Sequence, residues 1–142
     1  MAFRYLYSLG GGDPVVDSLP LAAVTTVRNS AIYFDTAGFL TNTWVNADTI
    51  TTVLIAGKTE EAVVNAGGAA GDLMQPFMCN KDAVYYADSS NTADQTDVGT
   101  NVSLDSAVLV DEDDPLTTSS GVFRIRKLAG AAAAVSAVIG TF

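Results

Sequence analysis

Ala31-Ile-Tyr-Phe-Asp35, Thr36-Ala-Gly38 and Phe39-Leu-Thr-Asn-Thr-Trp-Val45 read in that order as strand, turn and strand. The flanks carry aromatic and β-branched residues that suit a pleated, half-buried surface. Gly38 supplies the positive φ that a tight hairpin turn needs. Working outward, Thr49–Ala56 is β-branched and apolar and suits a buried strand. Leu73–Met78 and Ala83–Ala87 continue the pattern, with Pro76 making the first of these an edge strand or a bulge. Val102–Val110, Val122–Leu128 and Ala134–Phe142 complete it. About seven to nine short strands, with a turn signal roughly every 8–12 residues, predict an all-β fold. The expected architecture is a small β-barrel, a β-tulip-like domain or a sandwich.

Between these strands the text is loop-like. Thr59 can cap a short helix over Thr59–Asn65, with Glu60 and Glu61 favourable at its start. The glycine-rich Ala66–Gly71 then ends it. Asp88–Gly99 is polar and reads as turns, and Asp111–Pro115 reads as an acidic turn. Ala131–Ala134 has helix propensity, but four alanines without a cap do not make a helix.

Residues 1–20 differ from the rest. Phe3, Tyr5 and Tyr7 alternate with Arg4 and Leu6, and then Gly10-Gly-Gly12 and Asp13-Pro14 interrupt. The segment reads as an extended N-terminal arm hinged to a single β domain over 21–142. Its candidate contact residues are Phe3, Arg4, Tyr5, Leu6 and Tyr7.

Composition narrows function. The chain has 142 residues, 49% hydrophobic and only 16% charged, against about 25% charged in an average globular domain. A weakly charged surface rich in small residues suits packing against neighbours, and it also suits a small β domain with no such role. Asp and Glu number 16 against 7 Lys and Arg, a net charge of −9. That sign opposes nucleic acid, which is bound largely through cations displacing counterions, and it opposes an anionic membrane. The longest apolar run, Leu128–Gly140, is shorter than the roughly 20 residues of a spanning helix. The opening Met1-Ala-Phe-Arg-Tyr-Leu-Tyr7 lacks the layout of a secretory leader, so synthesis in a host cytoplasm is the expectation.

Chemistry-bearing constellations are few. There is one cysteine, Cys79, and no histidine. A zinc site and a Ser–His–Asp triad therefore lack their parts, and Cys79 reads as a buried small hydrophobe. Asp111-Glu-Asp-Asp114 lacks the alternate spacing and the internal glycine of a calcium loop, so a solvated turn is expected, with incidental Ca²⁺ as the alternative. The glycines at 10–12 and 67–71 match no phosphate-binding motif. No catalytic residue, cofactor or metal is expected. Arg124, Arg126 and Lys127 form the one basic cluster, which can pair with acidic patches such as Asp111–Asp114 within the molecule or on a neighbour.

The second half resembles a type of small phage virion protein. The resemblance runs through Ala66-Gly-Gly-Ala-Ala-Gly-Asp72, Ala83-Val-Tyr-Tyr-Ala-Asp88, Thr96-Asp-Val-Gly99 with Val102-Ser-Leu104, Gly121-Val-Phe-Arg-Ile-Arg126 and Val135–Phe142. In bacteriophage capsid decoration (cement) proteins similar segments occur in that order. In the first half, Tyr33-Phe-Asp-Thr-Ala-Gly-Phe-Leu40 is similar in manner. The resemblance implies a non-enzymatic β domain on the outer capsid surface. It would clamp neighbouring major capsid protein subunits, often as a homotrimer. Arg124 and Arg126 join the arm residues as candidate interface. Two alternatives stay open: another virion structural role, such as tail-tube or head–tail joining, and a carbohydrate or host-surface module using Trp44, Tyr85 and Tyr86.

Overall fold

A computed structural model describes residues 3–12, 16–43, 54–56, 63–78, 83–106, 108–115, 123–130 and 134–142. The fold is all-β, as the strand pattern predicts. Eleven strands occur among the described residues: β1 Arg4–Ser8, β2 Val16–Pro20, β3 Ala31–Phe34, β4 Leu40–Thr41, β5 Leu54–Ala56, β6 Met74–Met78, β7 Ala83–Asp94, β8 Asn101–Ser106, β9 Leu109–Pro115, β10 Phe123–Leu128 and β11 Ala134–Thr141.

The turn of the decisive hairpin forms as read, while its second strand is described only over Leu40–Thr41, and Trp44 and Val45 lie outside the described residues. The Asp35 carboxylate accepts from the backbone N–H groups of Ala37 and Phe39, both at 2.9 Å. Gly38 sits at φ 87°, where a Cβ would be strained. This turn joins β3 to β4, with Tyr33 opposite Thr41 and Phe34 opposite Leu40.

The strands form two circuits. In the larger, the order is β1-β7-β11-β10-β8-β9, and β9 returns to β7 through a parallel pairing of Val110 with Ser89. Strands β7, β11, β10, β8 and β9 thus close a five-stranded barrel, with β1 added on β7. One edge of the long β7 serves both β1 and β9: residues 83–86 face β1, and Ser89 meets β9. The smaller circuit runs β2-β6-β5-β3-β4, and a parallel bridge from Leu21 to Leu40 turns it back on itself.

The two circuits share β3. Ala31 and Tyr33 join the large core cluster with Phe3, Tyr85, Phe123, Ile125 and Val138. Ile32, between them, packs with Leu21, Leu40 and Phe77 inside the smaller circuit. A strand alternates its side chains between faces, so β3 is buried on both sides. Met78 and Phe77 of β6 divide between the same two cores.

Several expectations are corrected. The N-terminal segment 1–20 is not a free arm where it is described. Phe3 is 0% exposed, β1 pairs with β7 from Arg4 to Ser8, and β2 pairs with β6 along its whole length. The three glycines do break the strand, but they form a bend between two paired strands and not a hinge to solvent. Asp88–Asp94 is strand, because β11 supplies its hydrogen-bonding partners and Ser89 and Ala93 are small enough to sit buried. Val102–Val110 is two strands of a hairpin, and Asp111–Pro115 continues the second of them. The proposed helix begins outside the described residues, and its end is extended, with Val64 bridged to Thr25. At Pro76, β6 is registered to β2 while its pairing with β5 covers only Phe77 and Met78, so the proline meets one neighbour. Trp44 and Cys79 lie outside the described residues.

Candidate functional site

Strands β1, β7, β11 and β10 lie side by side, and their registers fix which residues share a face. Tyr5 pairs with Tyr85, Tyr85 with Gly140, and Gly140 with Ile125. This row points into the barrel, where Tyr85 and Ile125 are fully buried. The neighbouring row is Arg4, Tyr86, Ile139 and Lys127, joined by the same registers. It points outward. Three inter-strand steps of about 4.8 Å set Arg4 and Lys127 roughly 14 Å apart.

The outward row is cation, aromatic, aliphatic, cation. The Arg4 guanidinium lies 4.9 Å from the centroid of the Tyr86 ring. Such a contact contributes about 0.5–1 kcal/mol at an exposed site and holds the arginine against the sheet. Arg124 pairs with Thr141 on the same outer face, since Phe123 and Ile125 on either side of it are buried. Arg126 occupies an irregularity in the β10–β11 register between Ile125 and Lys127, and its Nε donates to Thr141 Oγ1 at 3.4 Å. A matching irregularity lies at Leu6 in β1. A bulge re-aims the side chains around it, and here Arg126 and Lys127 both emerge exposed.

Four of the seven cations in the chain therefore stand on β1 and β10 of one sheet. Two acids sit on β7: Asp88, two residues beyond Tyr86 and opposite Ala137, and the exposed Asp94, opposite Ala134. On the other wall, β8 presents the exposed Asp105, and β9 contains Asp111-Glu-Asp-Asp114. The barrel order places β9 next to β8 and β7, and not next to β11 or β10. The basic residues of this sheet thus stand on β1 and β10, and its longest acidic run stands on β9.

The structure sorts the residues expected to make contacts. Arg4, Tyr7, Arg124 and Arg126 are exposed and share one sheet. Tyr5 and Leu6 are half-buried. Tyr5 turns inward, its ring 6.2 Å from that of Tyr85 and its hydroxyl 3.0 Å from Ser8 Oγ. Phe3 belongs to the core and cannot touch a partner in this fold. Lys127, expected in the basic cluster, and Tyr86, a candidate sugar-stacking residue, belong to the same face. Tyr85, a candidate sugar-stacking residue, is fully buried.

Titration away from this face has local causes. Burial, and then the nearby Asp35 carboxylate, push the Tyr33 hydroxyl above its ordinary pKa. That hydroxyl donates to the Thr43 carbonyl. Asp94 caps the 3₁₀ turn Gln95–Asp97, and its carboxyl is held below the ordinary value by the Thr96 hydroxyl and then by the Thr96 backbone N–H. Among the described residues, no cluster of three or more His, Cys, Asp or Glu side chains could hold a metal, and no helix is long and apolar enough to cross a membrane.

No known family model, curated protein or solved structure matches this chain.

Proposed function

We propose that this protein is a phage virion structural protein that binds the outer capsid surface as a homotrimer and cements neighbouring major capsid subunits. The observation that carries this reading is where the family-like segments fall. Ala83–Asp88 lies in β7, Val102–Leu104 in β8, Phe123–Arg126 in β10 and Val135–Thr141 in β11. These are four of the five staves of one closed barrel. Most of the resemblance thus maps to one folded unit, while Ala66–Asp72 and Thr96–Gly99 fall in turns outside those strands.

The physical logic fits adhesion. A protein that binds the assembled shell, and not its free subunits, stabilises the shell by mass action. Repeated weak contacts add through multivalency. A closed barrel with β1 fixed to it offers a surface that loses little conformational freedom on docking.

The test uses purified protein with expanded and unexpanded capsids of the phage that encodes it. Binding to expanded capsids and a higher temperature of capsid disassembly are expected. Failure to bind any capsid form would sink the reading. Growth of the isolated protein into long tubes would favour a tail-tube role instead.

A further inference from the structure

We infer that the cationic outer face of β1, β7, β11 and β10 docks against the acidic β8–β9 wall of a second copy of this chain. The contact deepens the homotrimer reading and depends on it only for the number of copies.

The argument starts from charge. At a net −9, copies of this chain repel one another on average. Association then requires the scarce cations to be gathered where they meet acid. Arg4, Arg124, Arg126 and Lys127 are gathered in this way on one sheet, Arg4 on β1 and the other three on β10, with β7 and β11 between them. Arg4 is also held in place over Tyr86. Between the cations, Tyr86 and Ile139 are half-buried and offer a small apolar centre inside a charged rim. The complementary acids are carried by the same chain. The exposed Asp105 and the run Asp111–Asp114 occupy β8 and β9, on a different wall of the barrel.

Because the two surfaces are different and lie on different walls, the contact is head-to-tail. Such a contact closes a ring when its rotation permits. Each copy then uses its basic face once and its acidic wall once.

The test is sedimentation of the whole chain at low ionic strength. Wild type should self-associate. Arg124→Glu with Arg126→Glu should weaken association about tenfold or more, the scale of close interfacial charge pairs. Asp111→Lys with Asp113→Lys should do the same, although it lowers the net charge and with it the general repulsion. An equimolar mixture of the two variants should form a one-to-one complex, because each retains the surface the other has lost. Should the β9 variant fail to fold, Asp105→Lys at an exposed site takes its place. A wild type that stays monomeric, or either variant associating like wild type, would overturn the contact. Capsid binding measured in parallel separates the two proposals. A monomeric protein that stabilises capsids removes this contact alone, and an associating protein that ignores capsids removes the cement role alone.

Discussion

The ring of Phe3 stands edge-on to the ring of Phe142, with centroids 4.9 Å apart and planes at 63°. Phe123 lies against both, at 5.8 Å from Phe3 and 5.1 Å from Phe142, and Tyr85 lies 5.5 Å from Phe142. Residues 3 and 142 thus meet in one aromatic cluster lodged between β7 and β10. Edge-to-face pairs of this kind contribute about 0.5–1.5 kcal/mol each beyond the area they bury.

Truncating this cluster should be costly. Phe3→Ala is expected to destabilise the protein by about 3–5 kcal/mol, the range for buried Phe→Ala changes. Removing residues 1–12 deletes Phe3 together with the whole of β1, so the shortened chain should lose its cooperative melt. Chemical denaturation of both variants checks this. A truncated chain with wild-type stability would restore the free-arm reading.

Gly140 should tolerate no side chain. A Cβ there would stand 2.1 Å from the Arg124 carbonyl oxygen and 2.7 Å from the Phe123 ring. The first obstacle is backbone and cannot swing aside. Gly140→Ala is expected to cost about 1–3 kcal/mol or more by overpacking. Gly10→Ala, with nothing within 4 Å of the added atom, is the matched control and should be nearly neutral. Equal melting temperatures for the two variants would refute the close approach.

Asn65 fastens the smaller circuit. It is buried, and its Nδ2 donates to the carbonyls of Ala22 and Ala69, both at 3.0 Å. Asn65→Ala leaves those carbonyls without this donor and should cost about 1–3 kcal/mol. Asn65→Asp places a carboxyl against the same oxygens, which raises its folded pKa. Stability is then retained below the ordinary carboxylate pKa and lost as pH rises through the raised value. Thermal melts across pH should show Asn65→Asp falling below Asn65→Ala near neutrality, and closing the gap in acid.

Asp94 behaves oppositely. Its carboxyl is held low in the fold, first by the Thr96 hydroxyl and then by the Thr96 N–H. Its contribution to stability is present above the ordinary aspartate pKa and disappears as pH falls through the depressed folded value. Carbon-detected NMR titration should report an Asp94 pKa below the ordinary value. Thr96→Ala should move it upward, and an unmoved midpoint would reject the hydroxyl as the main cause.

Much of the fold is legible because its signals are local. Asp35 and Gly38 specify their turn by their own side-chain and backbone chemistry. Val122–Leu128 is legible as a strand, but Lys127 shares the alternation of Phe123 and Ile125, so its buried face shows only once the irregularity at Arg126 is placed. What escapes the sequence depends on distant partners. Asp88–Asp94 carries turn-forming residues, and pairing with β11, and with β9 at Ser89, makes it strand. Phe3 reads as terminal until Phe123 and Phe142 are placed beside it. The candidate face was half legible. The run Arg124–Lys127 stands out in any reading, but that Arg4 joins the same sheet follows from the β1–β7 register.

Ile32 and Tyr33 are consecutive residues that serve different interiors. Loosening the smaller circuit strips Ala31 and Tyr33 from the larger, and opening the larger exposes the back of the strand that lines the smaller. Neither half can therefore melt alone. The amide protons of β3 should exchange with solvent no faster than those of β7 and β10, at the rate set by global unfolding. Ala31, Ile32 and Tyr33 of β3, with Phe77 and Met78 of β6, make the molecule a single thermodynamic unit despite its two-ring plan.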